Sequence, residues 1–409
     1  MPEPCAKPEP ASSWRWFRFS LRTFLIGVTL ISLGFFFFNR VQNERRAARA
    51  IAEAHGHIVY DWQILPPGAT PKTPPPKPPG PQWVRKRLGP HWFDRIVEVR
   101  LNESTNKSDK NRFAVVAPHL AKLSSLRSLT QSGETFDSND YRLLSQLIQL
   151  ESLRVRQENE LLPQHAAAIA RLTGLHDLSL SDIKTSPEAL RELAKSPHLE
   201  KLQITCFYHG PIAGGLQTKY QLRDDAAEAL AAFPMLKSLE LYLTRITDEG
   251  MEKLCRLSKL ERLTVGSPHI TSASFDHIRK LKRLTALGTW AWKIDDDDLQ
   301  KLSQMPQLTT LDLLTHLSDK SVPHVTALGQ IERLRLRGEG VTDASVPHLL
   351  RLTKLQWLHL SGTSINKLGP AAKQLKRAFP KCAILLPKTE KEKEAERAFN
   401  NWRFGGGNL

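Results

Sequence analysis

The sequence predicts an α/β solenoid whose concave side is a parallel β-sheet and whose convex side is covered by helices, preceded by a single N-terminal transmembrane helix. Two observations lead to this fold class: an apolar motif that recurs about every 24 residues, and one uncharged apolar run close to the first residue. The chain has 409 residues, of which 40% are hydrophobic and 24% charged. These fractions are ordinary for a globular protein, so we expect most of the chain to fold.

The repeated motif has the form L-x-x-L-x-L and occurs ten times. Its third apolar residue stands at Leu129, Leu153, Leu178, Leu202, Leu239, Leu263, Leu287, Leu311, Leu334 and Leu358, with successive spacings of 24, 25, 24, 37, 24, 24, 24, 23 and 24 residues. The last two apolar residues of each motif alternate, which indicates a strand. A polar segment follows, in which residues such as Thr247 and Asp248 suit the start of a helix. One strand and one helix cannot bury their leucines alone, so the units must stack around a shared core.

This pattern resembles the leucine-rich-repeat superfamily over about residues 95–386. It is most similar to the bacterial form L-x-x-L-x-L-x-x-T-x-I-T-D-x-G-L-x-x-L, best matched at 236–254 and 355–365. Thr244 and Thr363 stand where many members carry asparagine, and a hydroxyl there can still bond to neighbouring backbone. The residues that depart from the pattern, and so predict less regular turns, are Pro268, Trp292, His316 and Glu339. With the apolar run, the repeats also resemble bacterial membrane-anchored repeat proteins, which implies location and interaction more than activity.

The apolar run at residues 23–38 predicts an uncleaved signal anchor that crosses the membrane over residues 21–39, after a tail at 1–20. A cleaved signal peptide is the alternative, but the run ends in four phenylalanines and no small-residue cleavage site follows. Arginines flank both ends of the run in similar numbers, so charge hardly fixes the orientation. Because a short tail before a first apolar segment usually stays inside, we expect the repeat domain on the exported side.

The remaining boundaries follow from changes in composition. We expect a helical stalk and short strand at 40–65, a proline-rich linker at 66–81, an N-terminal cap at 82–122, the repeats at 123–386 and a charged tail at 387–409. The linker favours an extended spacer, with a ligand for proline-recognition modules as the alternative. The long spacing marks an insertion at 206–222, which is either a functional loop or a tolerated surface insertion.

Charge and motifs bound the function. The formal net charge of +16 favours anionic partners, although a basic surface that only keeps the protein soluble remains the alternative. The four cysteines have no disulfide or metal-ligand spacing. The four aspartates at 295–298 suit the start of a helix better than a calcium loop. No catalytic or nucleotide-binding motif is present, so we expect no enzyme, no catalytic residue, no cofactor and no metal site.

The residues between the strand leucines should face the concave side, and those near the end of the array combine arginines with aromatic side chains. The predicted partner-binding patch is Tyr242, Trp290, Arg333, Arg335, Arg337, Trp357 and His359. The alternative is a solvated charged face on which Arg333 packs against Trp357. We also expect Asp312 to pair with Arg335 across the sheet.

The predicted function is protein–protein interaction at the cell envelope by a single-pass membrane protein. The first alternative is binding of an anionic polymer, either an envelope polysaccharide or nucleic acid, through the basic surface. The second is a structural role by self-association. No small-molecule substrate is implied.

Overall fold

The computed structural model describes residues 21–64, 76–102, 111–157, 159–205, 222–360 and 362–388. The tail at 1–20 therefore lies outside the described residues. So do most of the proline-rich linker, most of the insertion at 206–222 and most of the C-terminal tail.

Strands and helices alternate along nearly the whole described chain. The strands are β1 His57–Tyr60, β2 Ile96–Leu101, β3 Ser128–Ser132, β4 Ser152–Arg156, β5 Glu160–Leu161, β6 Asp177–Ser181, β7 Lys184–Thr185, β8 Lys201–Thr205, β9 Ser238–Tyr242, β10 Arg262–Gly266, β11 Ala286–Trp290, β12 Thr310–Leu314, β13 Arg333–Arg337, β14 Trp357–His359 and β15 Ala383–Leu385. The α-helices are α1 Leu21–Glu53, α2 Gln82–Leu88, α3 Arg112–Leu120, α4 Ser138–Leu144, α5 Pro163–Ala170, α6 Pro187–Leu193, α7 Asp224–Leu230, α8 Asp248–Leu254, α9 Ser274–Ile278, α10 Val322–Thr326, α11 Val346–Leu349 and α12 Pro370–Ala378. Short 3₁₀ helices occupy Asp61–Gln63, Pro90–Trp92, Asp297–Gln304 and Asp343–Ser345.

Thirteen of these strands form one sheet in the order β1-β2-β3-β4-β6-β8-β9-β10-β11-β12-β13-β14-β15. β1 runs antiparallel to β2, and every later neighbour is parallel. The two-residue strands β5 and β7 pair separately. The motif leucines stand in register, since Leu263 faces Leu287 and Leu287 faces Leu311. The predicted solenoid with a parallel sheet and helices is confirmed.

The core is a continuous column of apolar side chains between the sheet and the helices. Each strand sends alternate residues inward, such as Leu239 and Leu241 in β9, and both are fully buried. The helices supply the other wall, for example through Met251 and Leu254 of α8. Burying one such side chain contributes about 1.5–3 kcal/mol, and the contacts extend from unit to unit, so the array is stabilised by stacking.

Aspartates at the helix starts link neighbouring units. The Asp248 carboxylate accepts hydrogen bonds from the Thr271 backbone N–H at 3.0 Å, the Thr271 hydroxyl at 2.6 Å and the Ser274 hydroxyl at 2.5 Å. Asp319 accepts the same three from Thr342 and Ser345. The threonine also accepts from its own helix start, as Thr342 does from the Ala344 N–H at 3.2 Å. The threonine cap expected from sequence is therefore present and belongs to a ladder between units. Asp224, Asp296 and Asp343 accept from the next unit in the same way.

The turn position that often holds asparagine in the superfamily that the sequence resembles is filled here by other hydrogen-bonding groups. The Thr244 hydroxyl donates to the Gly266 carbonyl at 3.1 Å, as expected from sequence. The Thr363 hydroxyl donates to the Leu360 carbonyl at 2.7 Å. In one irregular unit the buried indole of Trp292 donates to the Val265 carbonyl at 2.7 Å. The Gly266 and Leu360 carbonyls also accept the backbone N–H of the same threonines, at 2.8 and 3.1 Å, so each threonine fixes its turn through two hydrogen bonds.

The N-terminal helix α1 is one unbroken helix of 33 residues with two different halves. Its first half is exposed and apolar, and Phe24 and Phe38 are 60% and 51% exposed. One face of its second half is buried, with Ala47 and Ile51 at 0% exposure against the first strands. The stalk expected at 40–65 is thus packed on the cap expected at 82–122, because its apolar residues cover the open end of the core. By length and composition α1 is long and apolar enough to cross a membrane, and its most apolar 18-residue stretch has a mean hydropathy of 1.8.

Candidate functional site

The concave face is built by the strand residues that alternate with the buried leucines. The parallel register aligns them into rows that cross the sheet. Arg333 lies beside Trp357, and Asp312, Arg335 and His359 follow one another on β12, β13 and β14. Residues that are 23 or 24 positions apart in sequence therefore become neighbours about 4.8 Å apart.

Four residues of the predicted patch form one group around Asp312, here called the arginine–tryptophan cluster (Asp312, Arg333, Arg335, Trp357 and His359). The Arg335 guanidinium donates to Asp312 Oδ2 at 2.9 Å and to His359 Nδ1 at 3.1 Å. The guanidinium carbons of Arg333 and Arg335 lie 5.2 and 5.5 Å from the centre of the Trp357 ring. Trp357 also meets His359 edge to face, with 5.3 Å between ring centres. The pairing of Asp312 with Arg335 is confirmed, and the contact of Arg333 with Trp357 is present.

The electrostatics of this cluster follow from its partial burial. Burial raises the pKa of the Asp312 carboxyl, although Arg335 acts in the opposite direction. Burial and then the charge of Arg335 lower the pKa of the His359 imidazole, so the neutral ring accepts the Arg335 bond at neutral pH. Arg335 and Asp312 keep about a third of their side-chain surface exposed, at 33% and 32%. The cluster is therefore held in one arrangement while its outer surface stays in contact with solvent.

Two other residues of the patch form an aromatic pair nearer the middle of the array. Tyr242 and Trp290 meet edge to face with 5.5 Å between ring centres, and the Tyr242 hydroxyl donates to Glu240 Oε2 at 3.1 Å. Burial and then Glu240 raise the pKa of the Tyr242 hydroxyl. The strand between them carries Gly266, where an added Cβ would lie 3.1 Å from the Trp290 ring. The glycine thus gives the two rings room to meet across β10.

A second glycine leaves the concave face beside this pair without a projecting side chain. At Gly288 an added Cβ would lie 2.6 Å from Thr264 Oγ1 and 2.8 Å from its methyl carbon. Gly288 stands between Thr264 and Asp312 in the central row. The surface of the sheet therefore forms a depression between the aromatic pair and the arginine–tryptophan cluster. Sequence reasoning missed both glycines and Glu240, although a glycine within a strand pattern signals a close approach.

The last residue of the patch, Arg337, lies apart from both groups. Its side chain lies over Gly362, where an added Cβ would be 2.9 Å from Arg337 Cγ and where φ is +97°. Arg337 lines a groove of about 1060 Å³ along the ends of the strands. The other walls of the groove include Lys293, His316 and Glu339. The structure thus divides the predicted patch into a pair, a cluster and one arginine in a separate groove.

The convex side offers one contact of a kind found in hydrolases. Ser138 Oγ and His165 Nε2 are 3.0 Å apart, and the imidazole stacks on Tyr141 with 4.2 Å between ring centres. A catalytic dyad of this type needs an acceptor that orients the other ring nitrogen. Among the residues that the structure describes, His165 Nδ1 has no such partner. We therefore interpret this contact as part of the packing between α4 and α5.

Metal ligation has no support in the described part of the chain, where no three His, Cys, Asp or Glu side chains group around a common point. The aspartates at 295–298 have other contacts. Asp295 and Asp298 each accept the backbone N–H of the other at 3.0 Å. Asp296 accepts from Ser318 in the ladder between units.

The comparison with known families agrees with the architecture. A profile of the leucine-rich repeat region matches residues 114–330, which is more than half of the chain. The chain belongs to the leucine-rich-repeat family. No curated protein sequence matches it significantly.

Several solved structures share this repeat architecture. An internalin from Listeria monocytogenes is 18% identical with a TM-score of 0.39, covering 72% of this chain and 82% of that one. The Arabidopsis receptor kinase HAESA, solved with a peptide hormone and a co-receptor, is 15% identical with a TM-score of 0.39, covering 66% and 43%. TLR13, solved in a complex with ssRNA13, is 18% identical with a TM-score of 0.38, covering 67% and 41%. The chain thus spans less than half the length of the last two, and similarities this low carry no functional argument.

Proposed function

We propose that this protein is a membrane-anchored leucine-rich-repeat protein that binds a protein partner at the cell envelope and does not act as an enzyme. The partner binds the C-terminal half of the concave face. The observation that carries this proposal is the arginine–tryptophan cluster, in which Trp357 lies between two arginines on a surface that remains partly exposed. Solenoids of this family offer a concave protein-binding surface, and tryptophan and arginine are enriched among the residues that dominate binding energy.

The contacts within the cluster reduce the cost of binding. Asp312 and His359 hold the Arg335 guanidinium at 2.9 and 3.1 Å, so this side chain is already ordered before a partner arrives. Ordering a flexible side chain at an interface costs about 0.5–1.5 kcal/mol. The aromatic pair and the depression at Gly288 extend the same surface, and a convex loop or helix of a partner would fit there.

The exposed apolar half of α1 supports the membrane part of the proposal. A row of large apolar side chains in contact with water is unfavourable, and Phe35 and Phe36 are 71% and 70% exposed. Insertion into a bilayer removes this surface from water. Extraction of native membranes with alkaline carbonate tests this part, since a spanning protein stays in the pellet and a peripheral one is released. Protease digestion before and after the inner membrane is opened then reports on which side the repeats lie.

Photo-crosslinking tests the binding surface directly. Benzoylphenylalanine replaces Trp357 in one variant, and Val115 on the exposed side of α3 in a matched control, in cells that make the protein naturally. The proposal expects a discrete adduct with another protein from position 357 and none from position 115. Equal adducts from both positions, or none from position 357, would contradict it.

The same experiment separates the two alternative functions. An adduct of twice the mass of the chain would indicate self-association. An adduct sensitive to nuclease or glycosidase would indicate an anionic polymer. Binding to such a polymer would also weaken steeply with added salt, whereas the arginine–tryptophan cluster includes apolar contact that salt does not screen.

A further inference from the structure

The direction of α1 relative to the strands fixes which side of the solenoid meets a membrane. The Glu44 carboxylate accepts from the Ile96 backbone N–H at 3.2 Å, so Glu44 lies level with the start of β2. Seven residues later, Ile51 lies level with its end, because Ile51 and Leu101 both lie 2.7 Å from a Cβ built at Gly56. α1 therefore runs in the direction of the parallel strands, and its apolar half lies beyond the edge where they start.

The solenoid has two edges, and their charges differ in sign. The strand-start edge comprises the segments that join each convex helix to the next strand, from 121–127 to 379–382; the strand-end edge comprises those that join each strand to the next helix, from 102–111 to 360–369. The strand-start edge carries 14 Lys or Arg and 4 Asp or Glu. Among its described residues, the strand-end edge carries 6 and 8. The excess of positive charge thus lies on the edge from which the apolar half of α1 emerges.

We propose that the strand-start edge lies on the anionic phospholipid headgroups of the membrane that holds α1, so that the solenoid extends along the membrane surface. The inference rests on the membrane anchoring proposed above. It assigns anionic phospholipid as the ligand of a second surface, distinct from the concave face. The groove beside Arg337 and the strand-end edge then face away from the bilayer.

The length of α1 between the apolar run and the solenoid fits this arrangement. Phe38 ends the run, and Glu44 stands six positions further along the helix, which corresponds to a rise of about 9 Å. The polar layer on each side of a bilayer is about 5–8 Å thick. Trp92, just before β2, contacts Phe37 with 5.4 Å between ring centres, and its carbonyl accepts from Arg40 at 3.1 Å. The edge nearest α1 is therefore at headgroup height.

The basic residues far from α1 determine how α1 and the solenoid tilt relative to the membrane. The densest basic segment carries the exposed residues Arg279, Lys280, Lys282 and Arg283 before β11. It lies seven strands beyond β2, or about 34 Å along the sheet. Exposed charges act over only about 8–10 Å at physiological salt. Membrane helices tilt by up to ~40°, and the basic edge would favour the tilt that brings this segment onto the anionic surface.

Energy transfer in lipid nanodiscs tests the arrangement in the full-length chain. With the four natural cysteines replaced by serine, a donor dye is placed by Gly329→Cys on the strand-start edge or by His316→Cys on the strand-end edge. Position 329 is suitable because no atom lies within 4 Å of an added Cβ, and His316 is exposed. The acceptor is a dye on lipid headgroups. The inference expects more transfer from position 329 than from 316 in discs with phosphatidylglycerol, and less transfer from position 329 in phosphatidylcholine or at ~0.5 M salt.

Two matched charge reversals complete the test. Lys280→Glu with Lys282→Glu should lower the transfer from position 329 in anionic discs, whereas Lys293→Glu with Lys320→Glu, on the opposite edge, should leave it unchanged. Equal transfer from both positions in anionic discs, or no effect of the first reversal, would overturn the inference while the anchoring stands. Failure of the chain to co-elute with discs would overturn the anchoring and the inference together.

Discussion

The ladder between units makes a strong prediction for stability at Asp248. Its carboxylate accepts three hydrogen bonds, from the Thr271 N–H, the Thr271 hydroxyl and the Ser274 hydroxyl. A hydrogen bond to a charged group contributes about 1.5–3 kcal/mol. The three bonds share one partly exposed carboxylate and are not additive. We therefore expect Asp248→Ala to destabilise the junction between these two units by about 2–3 kcal/mol.

Amide hydrogen exchange is the suitable assay, because repeat arrays open locally and need not unfold in a single step. The expected loss corresponds to ~30- to 160-fold faster exchange of the segment that contains α9 and β10. Asp276→Ala is the matched control. Asp276 lies in the adjoining unit, is about half exposed and pairs with Arg279 at 3.5 Å, so its removal should cost less than ~1 kcal/mol.

A double-mutant cycle identifies the partner. Thr271→Val removes the hydroxyl from the ladder. The double variant should therefore lose less stability than the sum of the losses in the Thr271→Val and Asp248→Ala variants. Equal exchange in the Asp248 and Asp276 variants, or full additivity in the cycle, would refute the ladder as a source of stability.

Three further predictions concern ionisable groups. Burial opposes ionisation of Asp248 and Asp319, but hydrogen bonds from the next unit outweigh it and lower both pKa values. Their stabilisation should thus be complete above the ordinary aspartate pKa of about 4 and be lost as pH falls through the folded-state pKa; acid unfolding curves should show less loss in the Asp248→Asn variant. Arg335→Ala should raise the pKa of His359, measured by the pH dependence of its ring proton shifts, yet leave it below its usual value because burial remains the larger cause. Burial raises the pKa of Cys255 to about 12, so iodoacetamide at pH 8 should alkylate this thiol far more slowly than free cysteine.

The fold was predictable because the apolar pattern of each repeat unit indicates its own strand and helix. The alternation around Leu263, for example, gives the strand, and the 24-residue period places Leu287 beside it. The contact of Asp312 with Arg335 followed from the same register. The cap was less predictable: nothing in the spacing of Ala47 and Ile51 says that this half of α1 packs on the solenoid instead of holding it away from the membrane.

The sequence predicted which strand positions face the concave side, but it did not predict which of those residues contact one another. Register places Arg333 beside Trp357, but the division of the patch depends on where residues lack side chains. Gly266 allows Tyr242 and Trp290 to meet. The opposite charges of the two edges were also hidden in the sequence, since they emerge only when each loop is assigned to one end of a strand. That assignment requires the direction of every helix and strand.

The measurement that tests the central claim most directly is partner capture by two matched double variants in the native membrane. With benzoylphenylalanine at Trp290 as the reporter, Arg335→Ala with Trp357→Ala is compared with Arg100→Ala and Arg154→Ala, which lie on the concave face near the other end. Arg335 and Trp357 contact each other, so their losses are not additive. A loss of ~2 kcal/mol for the pair predicts at least ~30-fold less adduct from the first variant and little change from the second. Equal adduct from both variants would contradict the assignment of the binding surface.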